Sequence, residues 1–328
     1  VMQTGWVFVD GHWNYFASSG AMKTGWVKDQ ETWYYLDKDG IMLTGRQDIN
    51  GVRYYLNASG AMQTGWKWQD NSWYFYTNSG AMKTGWLKDK ESWYYLDPET
   101  GIMAVGSKEI DGKNYFFSSA GTMQVGWQWS NDSWHYYATS GALQTGWLKD
   151  GDAWYYLEGK EGVMLVGLHQ VDGKQYYFSK SGAMQTGWKW FDNHYRYFES
   201  NGAMKTGWIK DKGVWYYLNP EDGIMLVGLH KVNGEHYYFD ESGAMQTGWK
   251  QLDGNWYYFQ ADGSLLKNAT TPDGYKVNEE GIWKQAVAAV NSDAVKPEQK
   301  QEANSSIVEQ PKQDSNLEAN ASEKKEKE

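Results

Sequence analysis

The chain has 328 residues, a formal net charge of -10 and no cysteine. This excludes disulfides, thiol catalysis and cysteine-ligated zinc, and speaks against a nucleic-acid partner, which needs clustered Lys and Arg. Aromatic residues make up 17% of the chain, with 21 Trp and 25 Tyr, so a core of the usual Leu, Ile and Val is not what this chain builds.

The chain opens at Val1 inside a repeated pattern and shows no signal peptide. We therefore expect a fragment or processed product, with an export signal and perhaps another domain before it. Thr-Gly-Trp or a relative recurs with its glycine at Gly5, Gly25, Gly45, Gly65, Gly85, Gly106, Gly126, Gly146, Gly167, Gly187, Gly207, Gly228 and Gly248. That is 13 units of 20–21 residues, the mark of a repeat architecture. In one unit, Gly25-Trp26 leads through polar Lys28-Asp29-Gln30-Glu31 to Trp33-Tyr34-Tyr35-Leu36, then to the turn Asp37-Lys38-Asp39-Gly40. Short apolar runs joined by Asp/Gly turns predict a β-hairpin. Alternation sends Trp33 and Tyr35 to one face and Tyr34 and Leu36 to the other. A lone hairpin is marginal in water, so successive hairpins are expected to stack.

The units come in three kinds. Kind A carries Trp after the glycine and usually a second two residues on, as in Trp66 and Trp68. Kind B reads Gly85-Trp86-Leu87-Lys88-Asp89 and then Trp93-Tyr94-Tyr95-Leu96. Kind C has no Trp, as in Gly167-Leu168-His169 with Gln175-Tyr176-Tyr177-Phe178. The order A-B-C runs four times before a last A-like unit at Gly248. It predicts about three hairpins per superhelical turn. The second Trp of kind A is expected to serve packing, and the paired Trp of the Gly-Trp and hairpin positions to form ligand walls, because kind C drops both together while keeping its strand. Residues 269–283, with Thr271-Pro272-Asp273-Gly274-Tyr275, predict a shortened terminal hairpin. From 284 to 328 the chain is polar and lacks aromatics. A disordered tail is expected there, with a transient helical turn at Ala286 to Val290.

The unit Gly-Trp-x-Lys-Asp-x-x-x-Trp-Tyr-Tyr-Leu resembles the choline-binding repeats of pneumococcal and related surface proteins, over roughly residues 1 to 283. The resemblance implies an all-β, left-handed β-solenoid of stacked hairpins. It also implies a protein secreted to the cell surface of a Gram-positive bacterium, held on choline or phosphocholine of teichoic or lipoteichoic acid. A trimethylammonium group carries charge but donates no hydrogen bond, and aromatic faces suit it. The family's sites combine two aromatics of one unit, one of the next, and a Met or Leu. Carried over, this gives Trp6, Trp13, Met22 and Trp33; Trp66, Trp73, Met82 and Trp93; Trp127, Trp134, Leu143 and Trp154; and Trp188, Tyr195, Met204 and Trp215. Weaker sites are expected from Trp26, Trp86, Trp147 and Trp208, where Arg53, Asn114, Gln175 and His236 stand at the third-wall position. A further site is expected at Trp249, Trp256, Leu265 and Tyr275. No site is expected after Arg46, Ser107, Leu168 or Leu229.

No catalytic motif, cofactor or metal site is expected. The six His never fall at zinc spacing, and no apolar run reaches the length of a membrane span. Three other readings stay open. One is a glucan or host-glycan repeat of the kind in glucansucrases and clostridial toxins, to which the Asp-Gly-Lys-x-Tyr-Tyr-Phe of kind C leans. Another is the targeting half of a wall hydrolase or esterase. The last is a standalone adhesin with a host protein ligand.

Overall fold

A computed structural model describes residues 2–283. The described residues contain strands and turns and no helix, and each repeat is one antiparallel hairpin. Hairpins 1 to 7 span 5–16, 25–36, 45–56, 65–76, 85–96, 106–117 and 126–137. Hairpins 8 to 13 span 146–158, 167–178, 187–198, 207–218, 228–239 and 248–259. Hairpins 1, 4, 7, 10 and 13 are kind A; 2, 5, 8 and 11 are kind B; 3, 6, 9 and 12 are kind C. The expected tail at 284–328, with its turn at Ala286 to Val290, lies outside the described residues.

The hairpin form follows from its short loop. In hairpin 2, Gly25–Asp29 pairs with Thr32–Leu36, placing Trp26 opposite Tyr35 and Lys28 opposite Trp33. Only two residues join the strands. In loops such as Asp10-Gly11 and Asn50-Gly51 both have positive φ, the conformation whose twist matches paired strands and which Asn, Asp and Gly tolerate. Cross-strand partners share a face. The front face of hairpin 2 therefore carries Trp26, Lys28, Trp33 and Tyr35, and its rear face Val27, Asp29, Thr32, Tyr34 and Leu36.

Front packs on rear. The Trp26 ring lies 4.8 Å from Tyr54 of hairpin 3, and Trp208 lies 4.9 Å from Tyr237 of hairpin 12. Where kind C meets kind A the contact is a parallel stack, as for Tyr55 on Tyr76 at 6.1 Å and Tyr238 on Phe259 at 6.0 Å. The large apolar residue at or next to the end of nearly every second strand forms the core. Leu36, Leu56, Phe178, Leu218 and Phe239 are all completely buried, each contributing about 1.5–3 kcal/mol.

The described residues divide into two compact units, one running to 145 with 159–163, the other comprising 146–158 and the residues from 164 onward. Within each, hairpins follow one another in chain order and pack on their neighbours, the arrangement of a β-solenoid.

The segment after hairpin 13, expected as a shortened terminal hairpin at 269–283, forms three short strands. Ala269–Thr270, Lys276–Val277 and Ile282–Trp283 extend hairpin 13 into a five-stranded sheet, with Trp283 opposite Trp256. In earlier hairpins this edge is taken by the chain ahead: the Met62 N–H, for one, donates to the Trp33 carbonyl at 2.8 Å. After hairpin 13 there is no further repeat, so the terminal strands take the open edge.

Candidate functional site

Each kind B to kind C junction forms a three-ring cage. In hairpin 2, Trp26 is held edge-to-face on Tyr35 at 5.1 Å and on Tyr54 at 4.8 Å, and is half-buried. Trp33 projects beside it from the second strand, with ring centres 6.4 Å apart and planes at 88°. Two perpendicular indoles and Tyr54 thus border a hollow of about 340 Å³, closed by Met62 and by Asn78 and Ser79 of a later turn. Trp33 is 40% exposed, so the hollow is open to a ligand and is not sealed core.

The geometry repeats. Trp86 and Trp93 stand 6.2 Å apart at 87°, Trp147 and Trp154 6.3 Å at 83°, and Trp208 and Trp215 6.1 Å at 89°. Their third rings are Tyr115, Tyr176 and Tyr237, each 4.9 Å from the first Trp. Behind these cages kind C supplies Ile110, Val171 and Val232, all buried, to seat the indole. Burial also raises the pKa of the Tyr237 phenol, with the Asp262 and Glu235 carboxylates adding to it. The Tyr237 wall is therefore neutral at physiological pH.

Kind A to kind B junctions fix the first indole differently. The Trp6 N–H donates to Asp29 Oδ2 at 3.1 Å, Trp66 to Asp89 at 2.9 Å and Trp188 to Asp211 at 3.1 Å. The acceptor is the Asp of the kind B Lys-Asp pair, at the place where kind C has Ile or Val. Tyr34, Tyr94 and Tyr216 are the third rings, at 4.7, 4.8 and 5.0 Å. The hairpin aromatic here also has an outer ring partner: Phe8 on Trp13 at 5.3 Å, Trp68 on Trp73 and Trp129 on Trp134 at 5.5 Å, and Trp190 on Tyr195 at 4.7 Å. Trp68 is 57% exposed. The second Trp of kind A thus lies on the surface beside the cage, packed against the hairpin aromatic of its own unit.

Kind C to kind A junctions lack the walls. Arg46 takes the first-Trp position, and its guanidinium lies 4.1 Å over Tyr74 while bonding Gln69 and Asp70. Facing hairpins 6 and 9, the third-ring position holds His135 and Arg196. In hairpin 13 Trp249 and Trp256 stand 6.5 Å apart at 82°, and Tyr275 and Trp283 face Trp249 at 5.7 and 6.4 Å. Asp273 accepts the Trp249 N–H at 2.8 Å, copying the kind A bond.

The expected quartets are brought together only in part. The rings of Trp188 and Tyr195, and of Trp249 and Trp256, stand side by side at 6.5 Å each. The third member is shifted by one residue. Trp33, Trp93 and Trp215 are on the front faces of their hairpins and belong to the next cages, with Trp26, Trp86 and Trp208. The rear-face Tyr beside each faces back instead. The Met or Leu is shifted by one repeat. Met82, Leu143 and Met204 donate their N–H groups to the carbonyls of Arg53, Asn114 and Gln175, and Met22 lies against Gly40. Leu265 bonds the His236 carbonyl and is buried beside Gly281. Of the set Trp127, Trp134, Leu143 and Trp154, the last belongs to the second compact unit and the others to the first. Kind B cages are consequently complete, because the variable residue Arg53, Asn114, Gln175 or His236 is not a wall. The missed rings had a signal: hairpins stacked front to rear must receive their third wall from the opposite face of the next strand.

Models of the choline-binding repeat match residues 3–44, 43–84, 63–107, 104–143, 124–167, 186–228 and 226–269, and a cell wall binding repeat model matches 167–184. No curated protein matches. Among solved structures, choline binding protein F of Streptococcus pneumoniae is 30% identical over 80% of this chain and 98% of its own, with a TM-score of 0.49. CbpJ of the same organism is 31% identical over 86% and 100%, at 0.34. The modular autolysin LytC, also pneumococcal, is 26% identical over 74% of this chain and 52% of its own, at 0.49. The repeat matches cover most of the described residues, and the chain belongs to the choline-binding repeat family, the modules that hold proteins to choline on the bacterial cell wall.

Proposed function

We propose that the cages between successive hairpins bind the phosphocholine groups of teichoic or lipoteichoic acid and so attach the protein, non-covalently, to the surface of a Gram-positive cell. The observation that carries this reading is the perpendicular indole pair closed by the next hairpin's tyrosine. It is open to solvent, neutral, and repeated. A methylated ammonium desolvates its methyls against three ring faces and is attracted by each, at about 0.5–2 kcal/mol per ring. Three rings give about -4 kcal/mol, a millimolar affinity for one free choline. Several cages meeting a polymer with many cholines bind far more tightly through effective concentration, without any new contact.

The test is retention on an immobilised tertiary amine followed by elution. Free choline at tens of millimolar, roughly ten times the single-cage constant, is expected to release the protein. Release by dextran but not by choline would contradict this reading and favour a glucan ligand.

A further inference from the structure

Beside the cage of hairpins 2 and 3 lies a second hollow of about 240 Å³, whose lining includes Arg46, Asp48, Arg53 and Tyr54. Tyr54 borders both hollows. One is aromatic; the other holds two guanidinium groups against one carboxylate. Arg46 is committed to the fold, bonded to Gln69 and Asp70 and lying over Tyr74. Arg53 is not. It is exposed, and one of its nitrogens, Nη1, donates to the Glu99 carbonyl at 2.5 Å. That bond engages one nitrogen of a guanidinium that lines the hollow.

Arg53, expected at the third-wall position, thus stands outside the cage, in a hollow that shares Tyr54 with it. Its counterparts at the other kind B to kind C junctions are Asn114, Gln175 and His236, and those of Arg46 are Ser107, Leu168 and Leu229. Hairpin 3 alone among the kind C hairpins combines both guanidinium groups. In phosphocholine the anionic phosphate is joined to the trimethylammonium by two methylenes, so a cation next to a cage is complementary to the whole group and not only to its head.

We infer that this hollow binds the phosphate of the phosphocholine whose trimethylammonium fills the adjoining Trp26–Trp33–Tyr54 cage, with Arg53 as its charge partner. The inference rests on the cage reading and makes one junction of the molecule selective for phosphocholine over choline. The planar guanidinium is suited to phosphate oxygens, which accept two parallel N–H bonds. Asp48 limits the gain and keeps the empty hollow from being strongly cationic.

Calorimetric titration of the full chain with choline and with phosphocholine, for wild type, Arg53→Gln and Arg53→Lys, tests it. Wild type is expected to bind one equivalent of phosphocholine about fivefold more tightly than choline, the scale of a good exposed ion pair, and to lose that preference at high salt. Arg53→Gln should abolish the tight equivalent and leave the choline isotherm unchanged, which also shows that the variant is folded. Arg53→Lys should keep part of it. Choline binding with no tight phosphocholine equivalent in wild type, or with the tight equivalent intact in Arg53→Gln, overturns this inference alone. Absence of choline binding altogether overturns the cage reading and this one with it.

Discussion

The two indoles of a cage have different duties. Trp26 is half-buried between Tyr35 and Tyr54 and serves as both floor and packing; Trp33 stands 40% exposed and serves the ligand. Trp33→Ala is therefore expected to remove one choline equivalent from a titration while leaving the thermal midpoint of the free protein nearly unchanged. Trp26→Ala should remove the same equivalent and also cost about 3 kcal/mol, as for other large aromatic truncations in packed sites, measurable by denaturant unfolding. Trp68→Ala, on the outer surface, should leave the number of equivalents intact. The paired tryptophans were legible in the sequence because kind C drops both while keeping its strand. The tyrosine wall was not, because Tyr34, Tyr54, Tyr115 and their counterparts stand in every kind B and kind C unit alike, with no contrast between those two kinds to mark them. Reading the third wall at Trp33 or Arg53 placed it one residue early, and one residue in a strand is the opposite face.

At the scale of the hairpin and its turn, backbone and carboxylate details set the cage. The Trp66 N–H bond to Asp89 was hidden in the sequence, although Lys-Asp recurs in every kind B unit, because its partner is 23 residues away. Asp89→Ala should cost about 1 kcal/mol of stability and loosen choline binding between hairpins 4 and 5, seen as a weaker equivalent in the titration. Gly80 has φ of +79°, and a Cβ there would meet the Met62 sulfur at 2.3 Å. Gly80→Ala should destabilise by about 1–3 kcal/mol and displace Met62 from the cage it lines. In the turn that presents the Glu99 carbonyl to Arg53, N–H bonds from Thr100, then the Lys108 and Thr100 side chains and the Glu99 N–H, hold the Asp97 carboxyl at about 2. Because its folded pKa lies below the unfolded one, its stabilising effect is complete above about pH 4. That contribution fades as pH falls towards 2. Asp97→Asn should flatten the acid limb of a stability-versus-pH curve over that window.

Across the chain, repetition explains both what could be read and what could not. The 20-residue period, the β-hairpin and the order of kinds follow from Gly, Trp and the two-residue loops, all local signals. The end of the stack is different. The three short strands at Ala269–Thr270, Lys276–Val277 and Ile282–Trp283 join hairpin 13 because an edge is left over, a consequence of where the array stops rather than of any local pattern. Ligand binding to the folded stack should raise its thermal midpoint with choline concentration by mass action. The central claim is that kind B hairpins, closed by kind C tyrosines, carry complete cages. The most direct measurement is a calorimetric choline titration of the chain carrying Trp33→Ala, Trp93→Ala, Trp154→Ala and Trp215→Ala. The account predicts the loss of four equivalents relative to the unaltered chain, with the folded state retained. An unchanged number of equivalents would contradict it.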